Sequence, residues 1–165
     1  MLCNTDFKGK KFLQISILSF LGGLAIGTPG QIKGLWEAKQ KFGNPQISWE
    51  SLIQPSIEMC YTGIPVSWTN AVDLKTHQER IKSDPGMREI FLNPSTGNVW
   101  NYEDIYTWPN LGQTYEKIAK RGSDEFYYGE TMKMMVEDLK SVGAIITEDD
   151  FLNYEYLPLY FVLQP

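Results

Sequence analysis

The sequence has little of several residue types on which common functions depend. It contains two cysteines, Cys3 and Cys60, and a single histidine, His77. Two cysteines are too few for a disulfide-rich scaffold or a cysteine-based zinc site, although they allow one disulfide. His77 lies in a polar, helix-like stretch with Asp73 one turn before it. A solvated helix histidine fits this position better than a general base or a metal ligand, because either role needs converging partners.

The chain also lacks a block of positive charge. Its 15 lysines and arginines are outnumbered by 20 aspartates and glutamates, which gives a net charge of −5. Binding to nucleic acid needs several clustered cations that neutralise phosphates, so we expect no nucleic-acid partner. The 42% of hydrophobic and 21% of charged residues among 165 are ordinary for one globular domain.

Familiar catalytic and nucleotide-binding motifs are missing as well. The glycine-rich run 22–27 lacks the spacing of a dinucleotide loop and the lysine of a phosphate loop. There is no Gly-x-Ser-x-Gly elbow, and no serine or threonine has a base that the sequence identifies. The acidic groups suit solvated positions and helix starts better than a cation site; they are Glu103–Asp104, Asp124–Glu125 and Glu148, Asp149 and Asp150. We expect no catalytic, substrate-binding or metal-ligating residue here, and no cofactor.

Helical periodicity, broken by glycine and proline, dominates from Gly30 onward. The pattern predicts a helix that ends at Gly43, helix starts at Pro55 and at Asp84–Pro85, and a helix from Pro109 to Gly122. Val99–Trp100 follows a turn and suits a short strand. The sequence therefore predicts a mainly α fold with one or two short strands.

A methionine-rich stripe and a capping box follow near the end of the helical region. The stripe predicts the core face of a helix rather than an adaptable binding surface; it comprises Met132, Met135, Val136, Leu139 and Val142. Thr147, with Asp150 three residues later, predicts the start of a last short helix.

Both ends of the chain are apolar. The apolar run 12–21 follows three basic residues, Lys8, Lys10 and Lys11. This order is similar to the basic region and the apolar region of a secretion signal. The alternative is a buried strand or helix. Residues 156–163 are nearly all apolar, so we expect them to pack against a partner.

The helical blocks, taken together, resemble the large-subunit region of γ-glutamyltransferases (glutathione hydrolases). The blocks occur in the order of that family and cover about residues 22–155. They are the glycine-rich run 22–34, Gln54–Ile57 with Gly63–Val66, Asp84–Phe91, Gly122–Gly129, and 143–154.

The resemblance implies the helical layer of an Ntn-hydrolase fold, in which helices flank two stacked sheets. In that family a threonine freed at the N-terminus of the small subunit attacks the γ-glutamyl carbonyl, and water or an amino acid or peptide accepts the group. No position of this chain matches the nucleophilic threonine, the oxyanion glycines or the arginine that holds the substrate carboxylate. The resemblance also implies that the protein is secreted or membrane-anchored, which the sequence itself leaves open.

We therefore divide the chain into a non-matching apolar segment 1–21, a family-like helical region 22–155 and a non-matching tail 156–165. The first hypothesis is a γ-glutamyltransferase fragment that lacks the catalytic subunit and is inactive alone. It would meet glutathione and other γ-glutamyl compounds only when a small subunit completes it. The alternatives are a non-catalytic scaffold that docks on another subunit and a related enzyme that acts on other amides.

Overall fold

The structure, a computed structural model, describes residues 22–156, in which helices predominate. The helices are α1 (Gln31–Phe42), α2 (Trp49–Thr62), α3 (Trp68–Thr76), α4 (Gln78–Ser83), α5 (Pro85–Phe91), α6 (Pro109–Arg121), α7 (Asp124–Tyr127), α8 (Glu130–Ser141) and α9 (Glu148–Leu152). A 3-10 turn, Gly23–Ala25, precedes them, and the strands are β1 (Ile64–Pro65) and β2 (Ile105–Tyr106). The prediction of a mainly α chain with short strands is confirmed. The predictions for segments 1–21 and 157–165 lie outside the described residues.

The described chain forms two compact units. Unit 2 is the continuous stretch Gln46–Lys120. Unit 1 consists of the described residues on either side of it, 22–45 and 121–156. Unit 2 is thus inserted into the sequence of unit 1. No helix within residues 22–156 has the length and apolar character needed to cross a membrane.

The core of unit 1 lies between α7, α8 and α9. Its buried members are Tyr127, Met132, Val136, Ile146 and Phe151, and Met135 and Leu139 pack against them. The prediction that the methionine-rich stripe is a core face is confirmed for these residues. It is wrong for Val142, which is 59% exposed because α8 ends just before it and the chain turns away.

Unit 2 consists of helices and one short antiparallel ladder. In that ladder Ile64 pairs with Tyr106 and Pro65 with Ile105. Val99 is buried and forms a single bridge to Leu92 across the turn 93–98. The short strand predicted at Val99–Trp100 is therefore one bridge, and the described strands lie elsewhere.

Most predicted helix ends are observed. The helix α1 ends at Gly43, and α6 runs from Pro109 up to Gly122. Asp84 caps α5 by accepting a hydrogen bond from the Met87 N–H at 2.9 Å, and Pro85 occupies the first helical position. Asp150 Oδ2 accepts from both the N–H and the hydroxyl of Thr147 at 2.8 Å, which confirms the capping box.

The predicted helix start at Pro55 is wrong. Helix α2 begins at Trp49, six residues earlier, and Pro55 lies inside it. Ser48 is the N-cap, because its Oγ accepts a hydrogen bond from the Ser51 N–H at 3.1 Å. Pro55 and the Ser51 carbonyl that it leaves without an N–H partner lie on the exposed side of the helix. Water can satisfy that carbonyl, so the proline is tolerated there.

Candidate functional site

The family-like blocks of unit 1 meet around the side chain of Tyr127. Its hydroxyl donates to the Pro29 carbonyl at 2.6 Å and accepts from the Lys33 N–H at 3.2 Å. Its ring stacks on Tyr154, with centroids 5.4 Å apart and an interplanar angle of 13°. Blocks almost 100 residues apart in sequence are therefore joined by one tyrosine. We call Pro29, Lys33, Glu125, Tyr127 and Tyr154 the signature cluster.

Two glycines allow this close packing. A Cβ at Gly30 would collide with the Tyr154 hydroxyl. Gly122 has a φ of +73°, and a Cβ there would lie 2.9 Å from the Trp36 ring. A side chain at either position is therefore excluded by neighbouring rings, and at Gly122 also by the backbone conformation.

Glu125 is buried, contrary to the prediction that Asp124–Glu125 is a solvated pair. Its side chain is 1% exposed, whereas Asp124 is exposed. Glu125 Oε1 accepts from the N–H and the hydroxyl of Thr131 at 3.2 and 2.9 Å. Glu125 Oε2 accepts from the Arg121 guanidinium at 3.0 Å. The charge is buried because these three donors replace water.

The chemistry of the signature cluster is structural. Burial by itself raises the pKa of the Glu125 carboxyl, but the bonds from Thr131 and Arg121 outweigh it and hold that pKa below its usual value. Burial raises the pKa of the Tyr127 hydroxyl. Both oxygens of Glu125 and the hydroxyl of Tyr127 are engaged by protein hydrogen bonds. That neither group acts as a general acid or base stays a prediction.

Unit 2 contains a partly open cavity of about 480 Å³, which we call the aromatic groove. All its lining residues belong to unit 2. Its walls are mainly apolar and include Leu74, Ile81, Met87, Phe91, Tyr106 and Trp108. Four polar side chains complete the lining, namely Asn70, Asp73, His77 and Arg80. This size and this combination of apolar walls with a few polar groups are typical of ligand pockets.

The aromatic wall of the groove is fixed by mutual packing. The Phe91 and Trp108 rings meet edge to face with centroids 5.8 Å apart. Tyr106 stacks on Trp100 at 6.0 Å, and the Trp100 indole N–H donates to the Ile90 carbonyl at 2.9 Å. The backbone N–H of Trp108 donates to the Cys60 carbonyl at 2.9 Å. The groove is therefore formed before anything enters it.

His77 lies at the edge of the aromatic groove. It is exposed, as expected, but it occupies the junction between α3 and α4 rather than the interior of a helix. Its N–H donates to the Asp73 carbonyl, and its own carbonyl accepts from the Ile81 N–H, each at 3.0 Å. The helical hydrogen-bond ladder thus continues through the junction. As a result, Asp73, His77 and Arg80 follow one face.

The remaining acidic groups act as local caps. Asp104 Oδ2 accepts from the Asn101 N–H at 2.7 Å, and Asp150 closes the box at the start of α9. Within residues 22–156 no group of three histidine, cysteine, aspartate or glutamate side chains could hold a metal ion. That the chain has no catalytic, substrate-binding or metal residue stays a prediction.

The aromatic groove was missed from the sequence, although one signal for it exists. Residues 100–108 contain two tryptophans and two tyrosines, a density that suits an aromatic wall. The polar side of the groove follows helical spacing, since Asn70, Asp73, His77 and Arg80 are three or four residues apart.

Comparison with known proteins gives a consistent result. The family model described as Gamma-glutamyltranspeptidase matches residues 4–157, a longer stretch than the resemblance over 22–155. Scoloptoxin SSD14 of Scolopendra dehaani is 39% identical over 149 residues, which are 90% of this chain and 25% of that protein. Glutathione hydrolase 3 of Arabidopsis thaliana is 35% identical over 135 residues, or 82% of this chain and 21% of that protein. The chain thus spans a fifth to a quarter of these relatives.

Among solved structures, the gamma-glutamyltranspeptidase of Helicobacter pylori superposes with a TM-score of 0.76 at 28% identity. The superposition covers 84% of this chain and 39% of that one. The described helices therefore have the arrangement found in the helical layer of this Ntn-hydrolase fold.

Proposed function

Because this chain belongs to the γ-glutamyltranspeptidase family, we propose that it forms part of the helical layer of a γ-glutamyltransferase or glutathione hydrolase. In this proposal the chain supports the reaction without performing it. The whole enzyme would pass the γ-glutamyl group of glutathione to water or to an acceptor amino acid or peptide. Residues 22–155 would be the family-like helical region, flanked by segments 1–21 and 156–165.

The observation that carries this proposal is the hydrogen bonding within the signature cluster. The family-like blocks of unit 1 converge on Tyr127, and the polar atoms of Tyr127 and Glu125 are occupied by protein donors and acceptors. A catalytic site needs groups that can reach a substrate. The blocks that carry the family resemblance here are therefore suited to packing.

The proposal requires a partner that carries the nucleophile. In this family that role belongs to a threonine at the start of the small subunit, as the resemblance implies. Exposed apolar side chains in each unit suit burial against further protein. They include Phe42 and Ile145 in unit 1 and Trp68 and Ile105 in unit 2, all more than 60% exposed.

The same exposed side chains favour a second candidate function, a non-catalytic scaffold that docks on another subunit. One relative is named as a toxin rather than as an enzyme. Both candidates need a protein partner. They differ in whether the assembled protein turns over γ-glutamyl compounds.

The test uses a chromogenic γ-glutamyl anilide and two proteins. The 165-residue chain alone should release no product above the blank. A hybrid, in which residues 22–156 replace the matching segment of glutathione hydrolase 3 of Arabidopsis thaliana, should mature and turn over the anilide. Turnover by the isolated chain that survives repurification would refute the supporting role. A folded hybrid that matures but has no activity would favour the scaffold.

A further inference from the structure

The aromatic groove of unit 2 has features that the proposed role in catalysis does not use. Its lining comes from a continuous stretch of chain, Val66 to Trp108, so the site is complete within unit 2. Its aromatic wall is fixed by ring packing and by the Trp100 and Trp108 hydrogen bonds. A preformed cavity loses little order on binding, which favours a small ligand.

The polar side of the groove carries one negative and one positive group. Asp73 and Arg80 are both exposed and line the cavity. They are seven residues apart on a helical ladder that His77 continues. At a rise of about 1.5 Å per residue, their Cα atoms are separated by roughly 10 Å along the axis. A ligand with a cation and an anion about that far apart suits these two side chains.

Two further polar side chains line the groove. Asn70 offers an amide donor and acceptor, and His77, which follows Asp73 and precedes Arg80 in sequence, also lines the groove. Peptide groups need such partners when they leave water. An extended chain spans at most about 3.3–3.6 Å per residue, so three residues cover roughly 10 Å.

We propose that the aromatic groove binds a free peptide of about three residues with a bulky apolar side chain. The apolar side chain enters between Phe91, Trp108 and Met87. The terminal ammonium pairs with Asp73 and the terminal carboxylate with Arg80. This inference is independent of the proposed enzyme function, because every residue it uses lies in unit 2.

The experiment titrates the 165-residue chain, with ¹³C-labelled methionine methyl groups, with the tripeptide Ala-Phe-Ala. Met87 lines the groove, whereas the exposed Met134 lies in unit 1 and reports non-specific contact. We expect a saturable shift of the Met87 methyl resonance and no shift for Met134. No saturable Met87 shift at millimolar peptide, or an equal shift of Met134, would overturn the proposal.

Charge variants test how the peptide is recognised. Since exposed ion pairs are weak, Asp73→Asn and Arg80→Gln should each weaken binding by about twofold to fivefold. Glu79→Gln, an exposed change on α4 outside the lining, should leave binding unchanged. The same peptide with an acetylated N-terminus and an amidated C-terminus should bind about tenfold more weakly, if the two end effects add. Equal binding of the blocked peptide would show a generic apolar cavity and overturn the proposal.

Discussion

Unit 1 and unit 2 place their polar side chains in opposite ways. In unit 1, Glu125 and Tyr127 are buried and each polar atom bonds to protein. In unit 2, Asp73 and Arg80 remain exposed around an open cavity with apolar walls. Residues of the family-like blocks can therefore be buried in the core of one unit or line the cavity of the other. In unit 1 Glu125 and Tyr127 join parts of the fold through their hydrogen bonds, whereas Asp73 and Arg80 of unit 2 line a cavity.

The largest expected effect comes from removing the buried carboxylate of unit 1. Glu125→Ala leaves Thr131 and Arg121 without their acceptor, so we expect a loss of about 3 kcal/mol in the free energy of unfolding. Urea denaturation followed by circular dichroism measures it. The matched control is Asp124→Ala, an exposed acidic residue on the same helix, with a change of about 0.5 kcal/mol or less. Similar losses for both variants would show that the buried carboxylate of Glu125 stabilises unit 1 no more than an exposed carboxylate does.

The next effect concerns the hydroxyl that joins the family-like blocks. Tyr127→Phe keeps the ring stacked on Tyr154 but leaves the Lys33 N–H and the Pro29 carbonyl without their partner. The expected loss is about 1.5 kcal/mol, because two partly buried backbone groups lose their hydrogen-bond partner. Tyr128→Phe, at the exposed neighbour, is the control and should be close to neutral. If the two variants unfold at the same urea concentration, the signature cluster does not hold unit 1 together.

A change in unit 2 should have a smaller effect, because it touches only a helix end. Ser48→Ala removes the side chain that caps α2 and should cost about 1 kcal/mol. Ser56→Ala, exposed inside the same helix, should be neutral or slightly stabilising, since alanine has the higher helix propensity. Thermal unfolding of both variants measures the difference. If Ser56→Ala costs as much as Ser48→Ala, α2 does not begin where the structure places it.

The smallest effect is the pH dependence of stability, because burial raises the pKa of the Glu125 carboxyl while its hydrogen bonds lower it. Its pKa is below the ordinary value in the folded state. Its stabilising contribution is therefore present above the unfolded pKa and is lost as the pH falls through the folded pKa. The stability gap between the natural chain and Glu125→Gln should narrow as the pH is lowered from 6 to 3. A gap that widens toward acid would reverse the sign assigned to this group.

The sequence predicts local features of this fold better than distant contacts. Asp84 with Pro85 and Thr147 with Asp150 are recognisable because the cap and its partner lie within three residues. The helix start predicted at Pro55 is wrong because it rests only on the local preference of proline for a first helical turn. The observed helix begins earlier, after the N-cap Ser48, and continues through Pro55. Glu125 is buried because Arg121, at the end of α6, and Thr131, in α8, both donate hydrogen bonds to its carboxylate. The sequence shows only two adjacent acidic residues and does not reveal these partners.

The aromatic groove shows the same limit at longer range. Its wall combines α3, α4 and α5 with β2 and the segment after it, so it exists only once these elements pack. The family resemblance, by contrast, was visible from ordered blocks, since each block keeps its own helix caps and glycines. Helical periodicity predicts the mainly α class and the resemblance predicts the Ntn-hydrolase layer, whereas the groove depends on contacts between elements that neither reveals.

The central claim is that the family-like residues of unit 1 support the fold and do not take part in the reaction. The direct measurement compares the active hybrid enzyme with its Tyr127→Phe variant, for both melting temperature and anilide kinetics at 25 °C. We expect a lower melting temperature with kcat and KM unchanged within about twofold, as for a residue that makes no interaction specific to the transition state. A tenfold or greater fall in kcat/KM while the variant remains folded would contradict it.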